Sequence, residues 1–175
     1  MGKFVALTLF LALSGCKSDA RKVNISTIYT GPKTVVREIP ETHKIHRYTT
    51  HEEVTKRLDP MVVMVSKNDN TLAFRIQGNI SSGGLRMNQI RKIRFEKGKR
   101  TGNTLTLKYY VEIKKRPGKE SADVAGYNYT KDEICKIPDD VKIIKIELYE
   151  DQIGEPSGLH PKLIARQTFN FFAKI

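Results

Sequence analysis

At 175 residues the chain holds one ordinary domain, long enough to bury a core without disulfide or metal staples. Lys and Arg number 31 against 19 Asp and Glu, a net charge of +12 that turns attention to anionic partners. After the first few residues no apolar stretch approaches the roughly 20 residues a membrane helix needs, so a helical membrane body is excluded.

The first sixteen residues differ from the rest. Met1-Gly2-Lys3 is a short cationic start, Phe4 to Leu13 is an apolar run broken only by Thr8, and Ser14-Gly15-Cys16 follows. Charged, apolar, small is the order of an export signal. Ten helical residues rise about 15 Å, half of a bilayer core of about 30 Å, so the run does not span. Myristoylation at Gly2 would want Ser or Thr at position 6, where Ala6 stands. Leu13-Ser14-Gly15-Cys16 resembles the lipobox of bacterial lipoproteins. That resemblance implies a diacylglyceryl group on the Cys16 thiol, cleavage just before it, and acylation of the new amine. One acyl chain anchors marginally, whereas two or three anchor stably. Lys17, in place of an Asp directly after the cysteine, resembles the signal for an outer-membrane destination and leaves the periplasmic or surface face open.

The expected organisation is a signal peptide over 1–15, a lipidated cysteine and polar tether over 16–22, and one domain over 23–175. Removal of the signal leaves a net charge of +11. An exported protein does not meet nucleic acid, so the reachable partners are an envelope protein, an anionic glycan or an anionic lipid. With Cys16 lipidated, Cys135 is expected to be alone, a half-buried strand residue with no intramolecular disulfide.

Strand signals dominate the domain. Val23, Ile25 and Thr27 alternate with polar residues, Gly31-Pro32 predicts a turn, and the β-branched stretch Thr34 to Ile39 predicts another strand. Glu52 to Leu58 admits two helical turns. Met61 to Val65 is a continuous apolar run after Pro60 and predicts a strand covered on both faces. Lys67 to Asn70 predicts a turn into Leu72, Phe74 and Ile76, which alternate, making a hairpin. A second hairpin pairs Ile93 and Phe95 with Leu105, Leu107, Tyr109, Val111 and Ile113 through a connection holding Gly98 and Gly102. Thr130 to Cys135 admits one helical turn. Ile144, Ile146 and Leu148 alternate, Asp151 to Pro161 reads as a loop, and Leu163 to Phe171 reads as a terminal strand. The expected fold is an all-β β-sandwich with one or two short helical turns. Ile137-Pro138-Asp139-Asp140-Val141 resembles the E–F corner of immunoglobulin-like domains, with the corner tyrosine replaced.

The densest cationic stretch, Arg86 to Arg100, nominates a site. Lys92 and Arg94 should point away from Ile93 and Phe95, and Lys108 and Lys114 away from the apolar face of the next strand, beside Tyr110. With Arg91 these make a candidate stripe for phosphate or carboxylate. The alternative is a solvated hairpin whose charge prevents edge pairing. His43, His46 and His51 cluster in sequence, but on one strand His43 and His46 face opposite sides, so no metal site is expected. Tyr127 and Tyr129 share a strand face. No nucleophile elbow, phosphate loop or metal helix occurs, and no catalytic residue, cofactor or metal is expected. The expected function is a non-catalytic binding or structural accessory of an envelope complex in secretion or uptake. The alternative is a lipid-anchored hydrolase or glycan-binding protein whose site is not local in sequence.

Overall fold

The computed structural model describes residues 22–154 and 160–171. Nine strands fill them: β1 (Asn24–Ile39), β2 (Lys44–Glu53), β3 (Met61–Asn68), β4 (Thr71–Ser81), β5 (Met87–Thr101), β6 (Thr104–Arg116), β7 (Val124–Lys136), β8 (Ile143–Ile153) and β9 (Lys162–Asn170). They form a five-stranded sheet in the order β2-β1-β7-β4-β3 and a four-stranded sheet in the order β5-β6-β8-β9. The two sheets pack face to face as a β-sandwich, as expected. Two-residue periodicity explains the core. Leu105, Leu107, Tyr109, Val111 and Ile113 line the inner face of β6 and are all buried, as are Leu72, Phe74 and Ile76 on β4 and Ile144, Ile146 and Leu148 on β8. Phe74 meets Tyr109 across the sheets edge to face, ring centroids 5.8 Å apart. Each fully buried side chain of this size contributes about 1.5–3 kcal/mol.

The one parallel pair is β6 with β8. Parallel neighbours cannot be joined by a tight turn. Here β7, in the opposite sheet, serves as the crossover, and the chain re-enters beside β6 in the same direction. The Ile137–Val141 corner carries it back, with Ile137 and Val141 buried and the Val141 amide donating to the Pro138 carbonyl at 2.9 Å.

Both hairpins form where the pattern placed them, β3–β4 and β5–β6. Four expectations are corrected. No helix occurs among the described residues: 130–135 lies within β7, and 54–60 is an irregular strap. Strand pairing overrode local helix signals because β7 is central, bonded to β1 on one side and β4 on the other. Gly31-Pro32 is not a turn. β1 leaves β7 after Tyr29, one residue past a register shift, and runs on through Pro32, which pairs with His51 of β2. A proline is tolerated there because that half of β1 has a ladder partner on one edge only. β3 is not covered on both faces, for it is the end strand of its sheet, and Met61, Val63, Met64 and Val65 are 40–61% exposed. Cys135 is not a lone half-buried thiol. It is fully buried on the inner face of β7 and disulfide-bonded.

Candidate docking surfaces

The outer face of the four-stranded sheet carries most of the nominated stripe. β6 sends Lys108, Tyr110, Glu112 and Lys114 outward because its alternate residues are the core. The parallel register sets Glu147, Tyr149 and Asp151 of β8 beside Lys108, Tyr110 and Glu112. On the other side Lys92, Arg94 and Glu96 of β5 face Glu112, Tyr110 and Lys108. Cations and carboxylates therefore interleave. The Arg94 Nε donates to Glu112 Oε1 at 3.1 Å and its Nη1 to Glu96 Oε2 at 3.1 Å, while Nη2 lies 3.8 Å from Asp151. Lys92 lies 3.5 Å from Glu112, and Arg166 of β9 3.0 Å from Glu147. Tyr110 and Tyr149 stack at 5.0 Å, with the Arg94 guanidinium 4.2 Å from the Tyr110 ring. Burial would pull Arg94 down, but the hydrogen bonds to Glu96 and Glu112 outweigh it and raise its pKa. The structure thus brings Lys92, Arg94, Lys108 and Lys114 to one face and supplies Lys92 and Arg94 with internal counter-ions. Arg91 sits at the register shift between Ile90 and Lys92. An exogenous anion would have to displace Glu112 from two cations at once.

The second surface is a two-stranded ribbon. From Thr30 to Ile39 β1 pairs only with β2, from Thr30 opposite Glu53 to Ile39 opposite Lys44. Almost every residue of it is exposed or half-exposed. One face carries Val35 opposite Tyr48, Arg37 opposite His46 and Ile39 opposite Lys44, and the other Val36 opposite Arg47 and Glu38 opposite Ile45. Val36, Ile45 and Tyr48 are 50–64% exposed. A shallow hollow of about 440 Å³ near the tip is lined by Arg37, Ile39, Pro40, Glu41, His46 and Tyr48. Lys33 and Glu52 pair near the base, and His43 Nδ1 lies 2.9 Å from Glu38 Oε1 at the turn. His43 has a φ of 52°, the left-handed region the turn demands. His46 and His51 lie on opposite faces, and among the described residues no three His, Cys, Asp or Glu side chains converge as a metal site.

A strap, residues 54–60, links β2 at one end of the five-stranded sheet to β3 at the other and crosses the sheet's outer face. Asn128 of β7 donates from Nδ2 to the Lys56 carbonyl at 2.9 Å and accepts from the Leu58 amide at 2.9 Å. Asn79 of β4 donates to the Leu58 carbonyl at 2.8 Å and accepts from Arg57 at 3.0 Å. Arg57 also binds both Glu53 oxygens and the Ala125 carbonyl. Its hydrogen bond holds the Glu53 carboxyl below the ordinary range. Ile28, on the side the strap crosses, is fully buried. Sequence reasoning missed Asn79 and Asn128. Their one signal is a polar residue at an outward position of each of two neighbouring strands, opposite one another in register.

The remaining nominated groups separate. Tyr129 is buried in the core, whereas Tyr127 is half-buried, its hydroxyl donating to Glu120 at 3.1 Å. Asp140 is taken by Arg100, and His160 is exposed. Comparison with protein-family models, curated proteins and solved structures returned no match to this chain.

Proposed function

We propose that the chain is an exported lipoprotein, held at the outer membrane through acyl chains on Cys16, that docks without catalysis onto a protein or anionic glycan or lipid of the cell envelope. The single observation that carries the docking half is the β1–β2 ribbon. An isolated two-stranded hairpin is at best marginally stable in water. Here ten paired positions project with apolar side chains bare on both faces, which a free-standing monomer does not need. Its flat shape suits a partner surface better than a small substrate. The membrane half rests on the Met1–Cys16 pattern.

A photo-crosslinker at Tyr48 is expected to give one discrete adduct in the native envelope, where the same probe at Thr106 on the opposite sheet gives none. Val36→Ser with Ile45→Ser should abolish that adduct without changing thermal stability, since neither side chain is buried. Equal labelling from both probes refutes ribbon docking. A Cys16→Ser protein that still sediments with membranes refutes the anchor.

A further inference from the structure

A hollow of about 160 Å³ opens between the two sheets, where β1 and β7 of one meet β5 and β6 of the other. Ile25, Ile90 and Tyr127 give it apolar walls, and Asn88, Gln89 and Arg116 give it polar ones. Ile25 stands 49% exposed although Tyr129, its ladder partner, is buried, so the core stops short of this side. Pockets for drug-sized molecules start at roughly 300 Å³, so this one suits a single ring.

The polar groups of the hollow are available. Gln89 and Arg116 are exposed, and neither side chain is hydrogen-bonded or ion-paired among the described residues. Asn88 gives one amide N–H to the Ser81 carbonyl at 2.9 Å and keeps the other. Four more exposed cations stand around the mouth. Lys114 lies opposite Gln89 and Lys115 opposite Asn88. Arg86 and Lys119 lie on adjoining loops, joined by the Glu120 amide donating to the Gly84 carbonyl at 3.0 Å. None of the four is ion-paired among the described residues. The carboxylates of the 117–123 loop are already engaged: Glu120 accepts from Ser82 and Tyr127, and Asp123 accepts from Ser121.

We infer that this end of the sandwich binds an anionic glycan, seating one hexuronate ring in the hollow with its carboxylate on Arg116. A guanidinium fork matches a carboxylate in two parallel bonds. The amides of Asn88 and Gln89 meet ring hydroxyls, which both give and take hydrogen bonds. Tyr127 and Ile25 line the C–H face of the ring. The four outer cations answer the acids of neighbouring units, and the weak contacts combine through one polymer. An acidic peptide would satisfy the cations and leave the amides and the hollow unused. The inference narrows the proposed docking to its glycan arm and uses neither the ribbon nor the lipid.

The test titrates oligogalacturonate into the full chain, purified in mild detergent, by calorimetry. Binding should weaken with salt. Arg116→Gln should lower affinity on the order of tenfold, with unchanged circular dichroism because the side chain is exposed. Lys136→Gln, the same charge change at the far end of β7, should leave affinity unchanged. Polyglutamate of equal length should bind about tenfold more weakly than the glycan. No heat at ligand concentrations of about 1 mM overturns the inference. So does polyglutamate that binds as tightly, which would make the partner an acidic protein, or an Arg116→Gln loss no greater than that of Lys136→Gln. The ligand is added to purified protein, so failure here is separate from failure of the Tyr48 adduct in the envelope.

Discussion

Asn128→Ala tests how the strap is held. The side chain is 4% exposed and serves the strap twice, giving a hydrogen bond to the Lys56 carbonyl and taking one from the Leu58 amide, both at 2.9 Å. A net hydrogen bond is worth about 1 kcal/mol, and an abandoned buried donor about 1–3 kcal/mol. Lys56 is exposed, so water can reach its carbonyl, whereas the Leu58 amide is only half-exposed. The sum is about 2 kcal/mol, or about 4–8 °C in Tm for a domain of this size. Urea denaturation should show a lower midpoint with an unchanged slope. Hydrogen exchange should show the Leu58 amide losing protection while core amides of β6 keep theirs. Asn128→Asp should recover part of the loss, because a carboxylate accepts from Leu58 but has no donor for Lys56. Combined with Asn79→Ala the losses should not add, since both asparagines grip Leu58. A midpoint shift worth less than about 0.5 kcal/mol, or unchanged Leu58 exchange, refutes the reasoning.

Two further outcomes follow from the core and from the outer face. Ile146→Ala, at a fully buried position in β8, should cost about 3–4 kcal/mol by urea denaturation, and a loss under about 2 kcal/mol would mean the site collapses around the gap. Desolvation, with the hydrogen bond to Glu147 next, pushes the Tyr149 phenol up to about 12. Its folded value lies above the unfolded one, so the stability it adds is fully present below pH about 10 and is lost as pH rises through about 12. Tyr149→Phe should flatten that part of the stability profile, and an unchanged profile would assign the loss to other groups.

The strands were legible because their evidence is local. Leu105 to Ile113 and Ile144 to Leu148 alternate strictly, and one buried face per strand follows from that alone. What sits opposite each strand is not local. Met61 to Val65 reads as a doubly covered strand, and only the sheet order puts it at an end with four of its five apolar side chains bare. The stripe fails to read for the same reason. Lys92, Arg94 and Lys108 project as the alternation requires, yet Glu112, Glu147 and Asp151 project with them, and the parallel β6–β8 register that interleaves the charges is set by a crossover through the other sheet. Residues 130–135 mislead for the opposite reason: a short segment with mixed propensity takes the conformation of its neighbours, and its neighbours are two paired strands.

The two cysteines set the sharpest remaining contest. Cys135 is disulfide-bonded, and the chain contains one other cysteine, Cys16. A thioether to diacylglycerol uses the same sulfur that a disulfide within the chain would use, so a single molecule carries one or the other. The bonds differ in permanence. A disulfide is broken and remade by thiolate attack, whereas a thioether offers no disulfide sulfur to attack. The proposed lipid on Cys16 requires that reductant leave unchanged the number of maleimide polymers taken up by denatured protein from the membrane fraction. The disulfide form takes up none before reduction and two after it. That second pattern in membrane material refutes lipidation at Cys16.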